Sequence, residues 1–286
     1  MSDDAYQLTM PRERKTSLVF ASPHSGNKYK WSFLSTSALD EHTIRSSEDA
    51  FVDELFRAAP RFGAPLLRAV APRALVDLNR SPDELDPALI DGLRRASNNP
   101  RVTSGLGVIP RVVANGRRIY PGKLTRQEAD RRLEHIWRPY HARLQALLAQ
   151  SHALFGEAVL IDCHSMPHEA IDALSHGTGG RPDIVLGDRF GAAAGSEIVA
   201  RIEASFTAAG LKVARNAPFA GAFTAQHYGR PSRGQHVVQI EIDRSLYMDE
   251  RRIEPNDNFE ELQAKITQVI AEISLMRRGD IRLAAE

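Results

Sequence analysis

A single cysteine, Cys163, among 286 residues leaves no partner for an intrachain disulfide, so burial and hydrogen bonding must hold the fold. No apolar run approaches the roughly 18 residues that span a bilayer, and a mean hydropathy of -0.33 argues against a membrane protein. Charge of one sign is also missing. Thirty-seven basic side chains face 36 acidic ones, a formal net charge of +1, which gives no overall field to draw in nucleic acid or an anionic membrane and leaves room only for local basic patches. The start Met1-Ser-Asp-Asp-Ala-Tyr-Gln7 lacks the apolar core of a secretion signal. These absences together point to a cytoplasmic protein whose partners are neither nucleic acid nor membrane.

What is present is an ordinary globular composition, 42% hydrophobic and 26% charged, with no internal repeat, heptad pattern or low-complexity tract. After a polar arm over 1–16, an apolar run at Ser17 to Ala21 reads as a buried strand. Ser46-Ser47-Glu48-Asp49 reads as a helix start before Phe51, Val52, Leu55 and Phe56. Strands are predicted at Leu66 to Ala69 and Ala74 to Leu78, followed by a long irregular excursion over 81–124. Thr125-Arg-Gln-Glu128 fits a capping box opening a helix through Leu148, with Pro139 a kink. Further strands are expected before His164, at Asp183 to Gly187, at Leu211 to Ala214 and at His236 to Asp243. Gly177 to Gly180 and the stretch from Asn216 to Gly229 read as loops, and helices are expected at Ala192 to Ala209 and Asn258 to Met276. Strands alternating with helices predict a single α/β domain, a mixed and mostly parallel sheet flanked by helices.

Chemistry concentrates at strand ends. Ser-Leu-Val-Phe-Ala-Ser-Pro-His24 and Ala-Val-Leu-Ile-Asp-Cys-His164 each close an apolar run with an imidazole, and in α/β sheets ligands collect at the carboxyl ends of strands. A hydrolytic zinc typically takes three protein ligands and a water whose pKa falls to about 7. His24 and His164 would be two of them, with Glu48 or Asp49 the third, although acids in a first helical turn also suit the macrodipole without a metal. Glu241 shares a strand face with Gln239 and Asp243. A carboxylate there is costly to bury unless paired or functional, so it is read either as a general base or as a partner of Arg244 or Arg230. Asn79-Arg80 could grip a substrate carboxylate, or Arg80 could serve Asp77. Ser25 and Ser165 follow histidines without a readable base and orienter, so a serine nucleophile is not expected.

Taken in order, Ser-Pro-His24-Ser-Gly, Glu48-Asp49-Ala-Phe-Val-Asp53, Val-Asp77-Leu-Asn79-Arg80, Asp162-Cys-His164-Ser-Met-Pro167, Asp183-Ile-Val-Leu-Gly-Asp188, His227-Tyr-Gly and Gln239-Ile-Glu241-Ile-Asp243 resemble the N-formylglutamate amidohydrolase family over residues 17–275. The resemblance implies a fold similar to zinc carboxypeptidases and aspartoacylases. It implies hydrolysis of N-formyl-glutamate to formate and glutamate, a late step in one route of histidine breakdown. It further implies metal ligation by His24, His164 and Asp49, with Glu48 the alternate, Glu241 as base, and Asn79, Arg80 and His227 as substrate contacts. The small-molecule partner would be an N-acyl acidic amino acid. A carboxypeptidase-like peptide hydrolase and a non-catalytic ligand-binding homologue are the other readings of the same residues.

Overall fold

Strand β4 (Ala158–Met166) is buried along all nine residues, as expected in a sheet flanked by helices, and its first four, Ala158 to Ile161, read as one apolar run. In the computed structural model residues 5–93, 99–174 and 180–276 are described. Seven strands form one mixed sheet: β1 (Tyr6–Thr9), β2 (Leu18–Ser22), β3 (Leu66–Ala69), β4, β5 (Ile184–Gly187), β6 (Val213–Arg215) and β7 (Gln235–Asp243), in the order β1-β3-β2-β4-β7-β5-β6. β2 with β4, β4 with β7, and β5 with β6 run parallel, while β5 meets β7 antiparallel. The expected mixed, mostly parallel α/β sheet is what forms.

Two compact units divide the described residues. The first gathers residues up to Gln7 with Pro23–Ala50 and Arg68–Arg143; the second gathers Leu8–Ser22, Phe51–Leu67 and the residues from Leu144 onward. In the second, the Ser196–Ala208 helix buries Ile198, Val199, Ile202 and Phe206, and the Phe259–Ser274 helix buries Leu262, Ile266, Val269, Ile270 and Ile273. Both sets follow the helical period of a single apolar stripe. In the first unit Ile44, Val76, Leu78, Leu89, Ile90, Val108, Ile109, Ile119 and Tyr140 are buried among mostly irregular backbone.

Several local expectations are corrected. Ala74 to Leu78 form turns rather than a strand, because the Pro72 carbonyl accepts from both Leu75 and Val76 and curls the chain. The helix expected after Asp49 is one turn, Val52–Leu55, preceded by Phe51 in a left-handed conformation (φ 64°) that blocks a longer one. The polar arm supplies edge strand β1, whose alternating half-buried and exposed residues carry the period of two. The stretch from Asn216 to Gly229 contains a helix, Phe223–Tyr228. Thr125 caps its helix by accepting from the Glu128 N–H at 3.1 Å, but the Glu128 carboxylate turns to Arg131 and Arg132 instead of closing the box. A wide π-turn over Leu133–Trp137 precedes Pro139, which has no N–H to give the carbonyl one turn back. Of the glycine-rich run, Gly177 to Gly179 lie outside the described residues.

Candidate metal centre

The parallel register of β2 and β4 pairs Ala21 with Asp162, so two chain segments leave the sheet side by side, one toward His24 and the other through His164. Both histidines are buried, at 2% exposure each. His24 follows Pro23 just past the end of β2, and the Asp49 N–H donates to the His24 carbonyl at 3.0 Å, which ties the acid's backbone to the histidine's. The His24 side chain is held from two directions: Nε2 lies 2.7 Å from Asp77 Oδ1 and Nδ1 lies 3.3 Å from Asp49 Oδ2. With Nε2 donating to Asp77, the Nδ1 lone pair faces Asp49. An imidazole oriented through one nitrogen by a carboxylate is the usual support of a metal-ligating histidine.

Ligand atoms of His24, Asp49 and His164, a ring nitrogen from each histidine and a carboxylate oxygen, all lie within 4.8 Å of one another, and all three residues are buried. Glu48 is turned elsewhere: Arg45 donates to it bidentately, Nε to Oε1 at 3.0 Å and Nη2 to Oε2 at 3.1 Å. Of the two adjacent acids, Asp49 joins the histidines.

Asp77 is fully buried. Burial alone would raise its pKa, but His24, Arg73 and Arg80 outweigh it and hold the carboxyl well below its ordinary range. The Arg73 guanidinium donates to Asp77 at 3.1 Å and lies 3.9 Å from Asp49. Arg80 donates through Nε to the Leu106 carbonyl and through Nη1 to that of Asn79, while its own carbonyl accepts from Trp137 Nε1 at 3.0 Å. The Nε and Nη1 bonds fix the plane of the guanidinium. Desolvation lowers its pKa, with Asp77 opposing.

On β4, Asp162 and His164 lie two residues apart and so share a face. Asp162 is fully buried, and neither of its carboxylate oxygens has a hydrogen bond; His164 Nε2, 3.1 Å from Oδ2, lacks the alignment of one. A buried carboxylate that accepts no hydrogen bond is costly. A divalent cation held by the adjacent imidazole would offset that cost, so the donor set and the orphaned charge both fit a metal. The β4–β7 register places Glu241 opposite His164. Gln239 Nε2 donates to Glu241 Oε1 at 2.8 Å, and the same side-chain amide accepts through its Oε1 from the Ala222 backbone N–H at 3.1 Å, so Glu241 is positioned from outside the strand. The guanidinium of Arg230 donates to the Gln226 and Gly229 carbonyls, and that of Arg244 to Ser165. His227 sits on the Phe223–Tyr228 helix with its ring stacked on Phe223 at 4.9 Å. Burial first, then Arg230, depresses its pKa.

Asp162 and Gln239 had no role assigned from the sequence, and Asp77 was read only as a possible partner of Arg80. Asp162 and Gln239 were discoverable by the strand period, each two residues from His164 or Glu241. Asp77 lay in a quoted motif, but its grip on His24 spans 53 positions and left no local signal.

One family model, that of N-formylglutamate amidohydrolase, matches residues 16–248. The chain belongs to this family. It is 32% identical over 238 residues to the N-formylglutamate deformylase of Pseudomonas aeruginosa, covering 82% of this chain and 83% of that protein. Against the deformylase of Pseudomonas putida it is 31% identical over 257 residues, 88% of each chain. The crystal structure of the N-formylglutamate amidohydrolase from Ralstonia eutropha JMP134 superposes with a TM-score of 0.89 at 34% identity, over 99% of this chain and 100% of that one. A gene product of Agrobacterium tumefaciens, 19% identical with a TM-score of 0.65 over 99% and 96% of the two chains, shares the fold. Among the described residues of this amidohydrolase no helix is long and apolar enough to cross a membrane.

Proposed function

We propose that this amidohydrolase cleaves the formyl amide of N-formyl-L-glutamate, releasing formate and L-glutamate, and so serves late in a route of histidine catabolism, in the cytoplasm. The observation that carries the reading is the buried His24, Asp49 and His164 group in a chain of this family. Two imidazoles and one carboxylate suit zinc among divalent metals. Bound by those three residues, the ion would supply Lewis-acid activation of water and of the amide carbonyl.

The chain's own residues supply the remainder. Glu241, oriented through Oε1 by Gln239, takes the proton from the attacking water and returns it to the departing amine nitrogen, as a general base and then acid. Asn79 and Arg80 receive a carboxylate of the glutamate end, since a guanidinium already fixed in plane loses little freedom on forming a bidentate pair. His227, whose pKa is lowered, enters as a neutral imidazole able to accept or donate one hydrogen bond to the substrate.

Metal analysis of purified protein, combined with formate and amine release from a panel of N-acyl amino acids and short peptides, tests the reading. Bound divalent metal and chelator-sensitive formate release from N-formyl-L-glutamate are expected. Metal-free protein with undiminished hydrolysis, or turnover confined to peptides, would overturn it.

A further inference from the structure

β5 ends at Gly187, and the chain then passes through three consecutive left-handed residues, Arg189 (φ 56°), Phe190 (φ 56°) and Gly191 (φ 88°). Glycine accepts that conformation freely, whereas for arginine and above all for phenylalanine it is unfavourable. A set of hydrogen bonds holds the turn all the same. Asn216 Oδ1 accepts from the Asp188 N–H at 3.1 Å and from the Phe190 N–H at 3.3 Å, Asn216 Nδ2 donates to Asp188 Oδ1 at 2.6 Å, and Asp188 Oδ2 accepts from the Gly191 N–H at 3.1 Å. Strain enforced this closely by its surroundings is a mark of functional sites. Packing is not what the turn achieves, since it leaves the Phe190 ring 81% exposed and keeps the Arg189 cation half-buried.

What the turn does achieve is the placement of Arg189. Its N–H donates to the Ala220 carbonyl at 2.8 Å, and its Cγ lies so near Gly221 that a Cβ on that glycine would come within 3.3 Å of it. The next residue, Ala222, holds Gln239, which in turn holds Glu241. Phe219 of the same loop packs against the cluster of Met166, Ile171 and Val185, and Val185 is the cross-strand partner of Glu241. Cross-strand partners share a face of the sheet, so the loop beside Arg189 lies on the face that carries Glu241. Among the described residues the Arg189 guanidinium has no hydrogen bond and no ion pair, unlike the buried guanidiniums of Arg80 and Arg132. A half-buried permanent cation in that state suits an anionic ligand.

We propose that Arg189 determines specificity in the hydrolysis proposed above, pairing with one of the two carboxylates of the N-formyl-glutamate while Asn79 and Arg80 take the other. The assignment rests on that reaction, because an N-acyl glutamate carries two anionic groups and the Asn79-Arg80 pair meets only one of them.

Steady-state hydrolysis of N-formyl-L-glutamate and of its two monoamides, N-formyl-L-glutamine and N-formyl-L-isoglutamine, by wild type, Arg189→Met and Arg80→Ala tests it. Arg189→Met should lose about 30-fold or more in kcat/KM on the dicarboxylate, mostly through KM, as for a lost charge-assisted pair. On one monoamide that loss should shrink below about threefold, because the carboxylate that Arg189 meets is already gone, and Arg80→Ala should show the same shrinkage on the other monoamide. Arg189→Gly should repeat the pattern of Arg189→Met with a melting temperature no lower than wild type, since glycine relaxes the left-handed backbone. Equal losses on all three substrates, no loss on any, or a marked fall in melting temperature for Arg189→Gly would overturn the assignment. Wild-type protein inert toward all three substrates would instead overturn the proposed function, and this assignment with it.

Discussion

Asp162→Asn gives the sharpest test of the metal reading, because its effect on stability should change sign with metal occupancy. Asp162 is fully buried and neither carboxylate oxygen has a hydrogen bond. An ion in that setting carries an effective desolvation penalty of several kcal/mol, whereas an isosteric amide left unsatisfied costs about 1–3 kcal/mol. In chelator-treated protein the substitution should therefore stabilise by about 1–3 kcal/mol, which at roughly 2 °C per kcal/mol for a chain of this size raises the melting temperature by about 2–6 °C. With zinc bound the carboxylate has a cation beside its neighbour His164, and removing it should cost the affinity of an outer-shell partner, about 10- to 100-fold. Scanning calorimetry in chelator and in saturating zinc reads both arms. Equal destabilisation of the variant in the two conditions would refute the reasoning, since Asp162 would then be a structural acid indifferent to metal.

Glu241→Gln keeps an oxygen to accept from Gln239, so melting temperature and metal content should stay near wild type while kcat falls by about 10²-fold or more; an unchanged kcat removes Glu241 from proton transfer. Arg80→Ala should raise KM for carboxylate-bearing substrates far more than it lowers kcat, as expected for lost uniform binding, and an unaltered KM would count against the clamp. Gly26→Ala would put a Cβ 2.2 Å from the Ala71 carbonyl oxygen; the backbone shift should cost about 1–3 kcal/mol and, two residues from His24, lower bound metal, so a variant with normal stability and loading would contradict the geometry. Glu128 has its pKa lowered from 4.5 because Arg131 and Arg132 outweigh burial. Its contribution is therefore present above the unfolded value and lost as pH falls through the folded one, so the gap in melting temperature between wild type and Glu128→Gln should narrow as the pH is lowered below 4.5. A gap that stays constant there would show that Glu128 acts through packing alone.

Much of the sheet was legible because buried parallel strands are continuous apolar runs closed by turn-forming residues. The runs ending before His24 and at His164 became β2 and β4, and that leading to Asp243 became β7. The run at Ala74 to Leu78 failed by the same criterion. It is apolar and buried, yet Pro72 feeds its carbonyl to two following amides, and the Asp77 N–H donates to Val108 instead of to a strand neighbour. Hydrophobicity there reports the core of an irregular segment. The turn has a use, since it delivers Asp77 to His24 and places the Asn79 N–H on Asp77 Oδ1 at 2.8 Å.

The same contrast separates the legible part of the site from the rest. Within one strand, alternation assigns faces, so Asp162 goes with His164 and Gln239 with Glu241 without any coordinates. Between strands, the sequence does not say that β4 lies between β2 and β7. Yet that order, through the partners Ala21 with Asp162 and His164 with Glu241, sets the strand that leads to His24 beside the one that carries His164, and that one beside the strand of Glu241. The choice between Glu48 and Asp49 was illegible for a similar reason. Both are acids at adjacent positions, and what separates them is a guanidinium three residues back: Arg45 engages Glu48 from both sides of its carboxylate, while the Asp49 backbone is pinned to the His24 carbonyl. The residue types disclose which chemistry is available, and the register and local pairing decide which of two equivalent acids performs it.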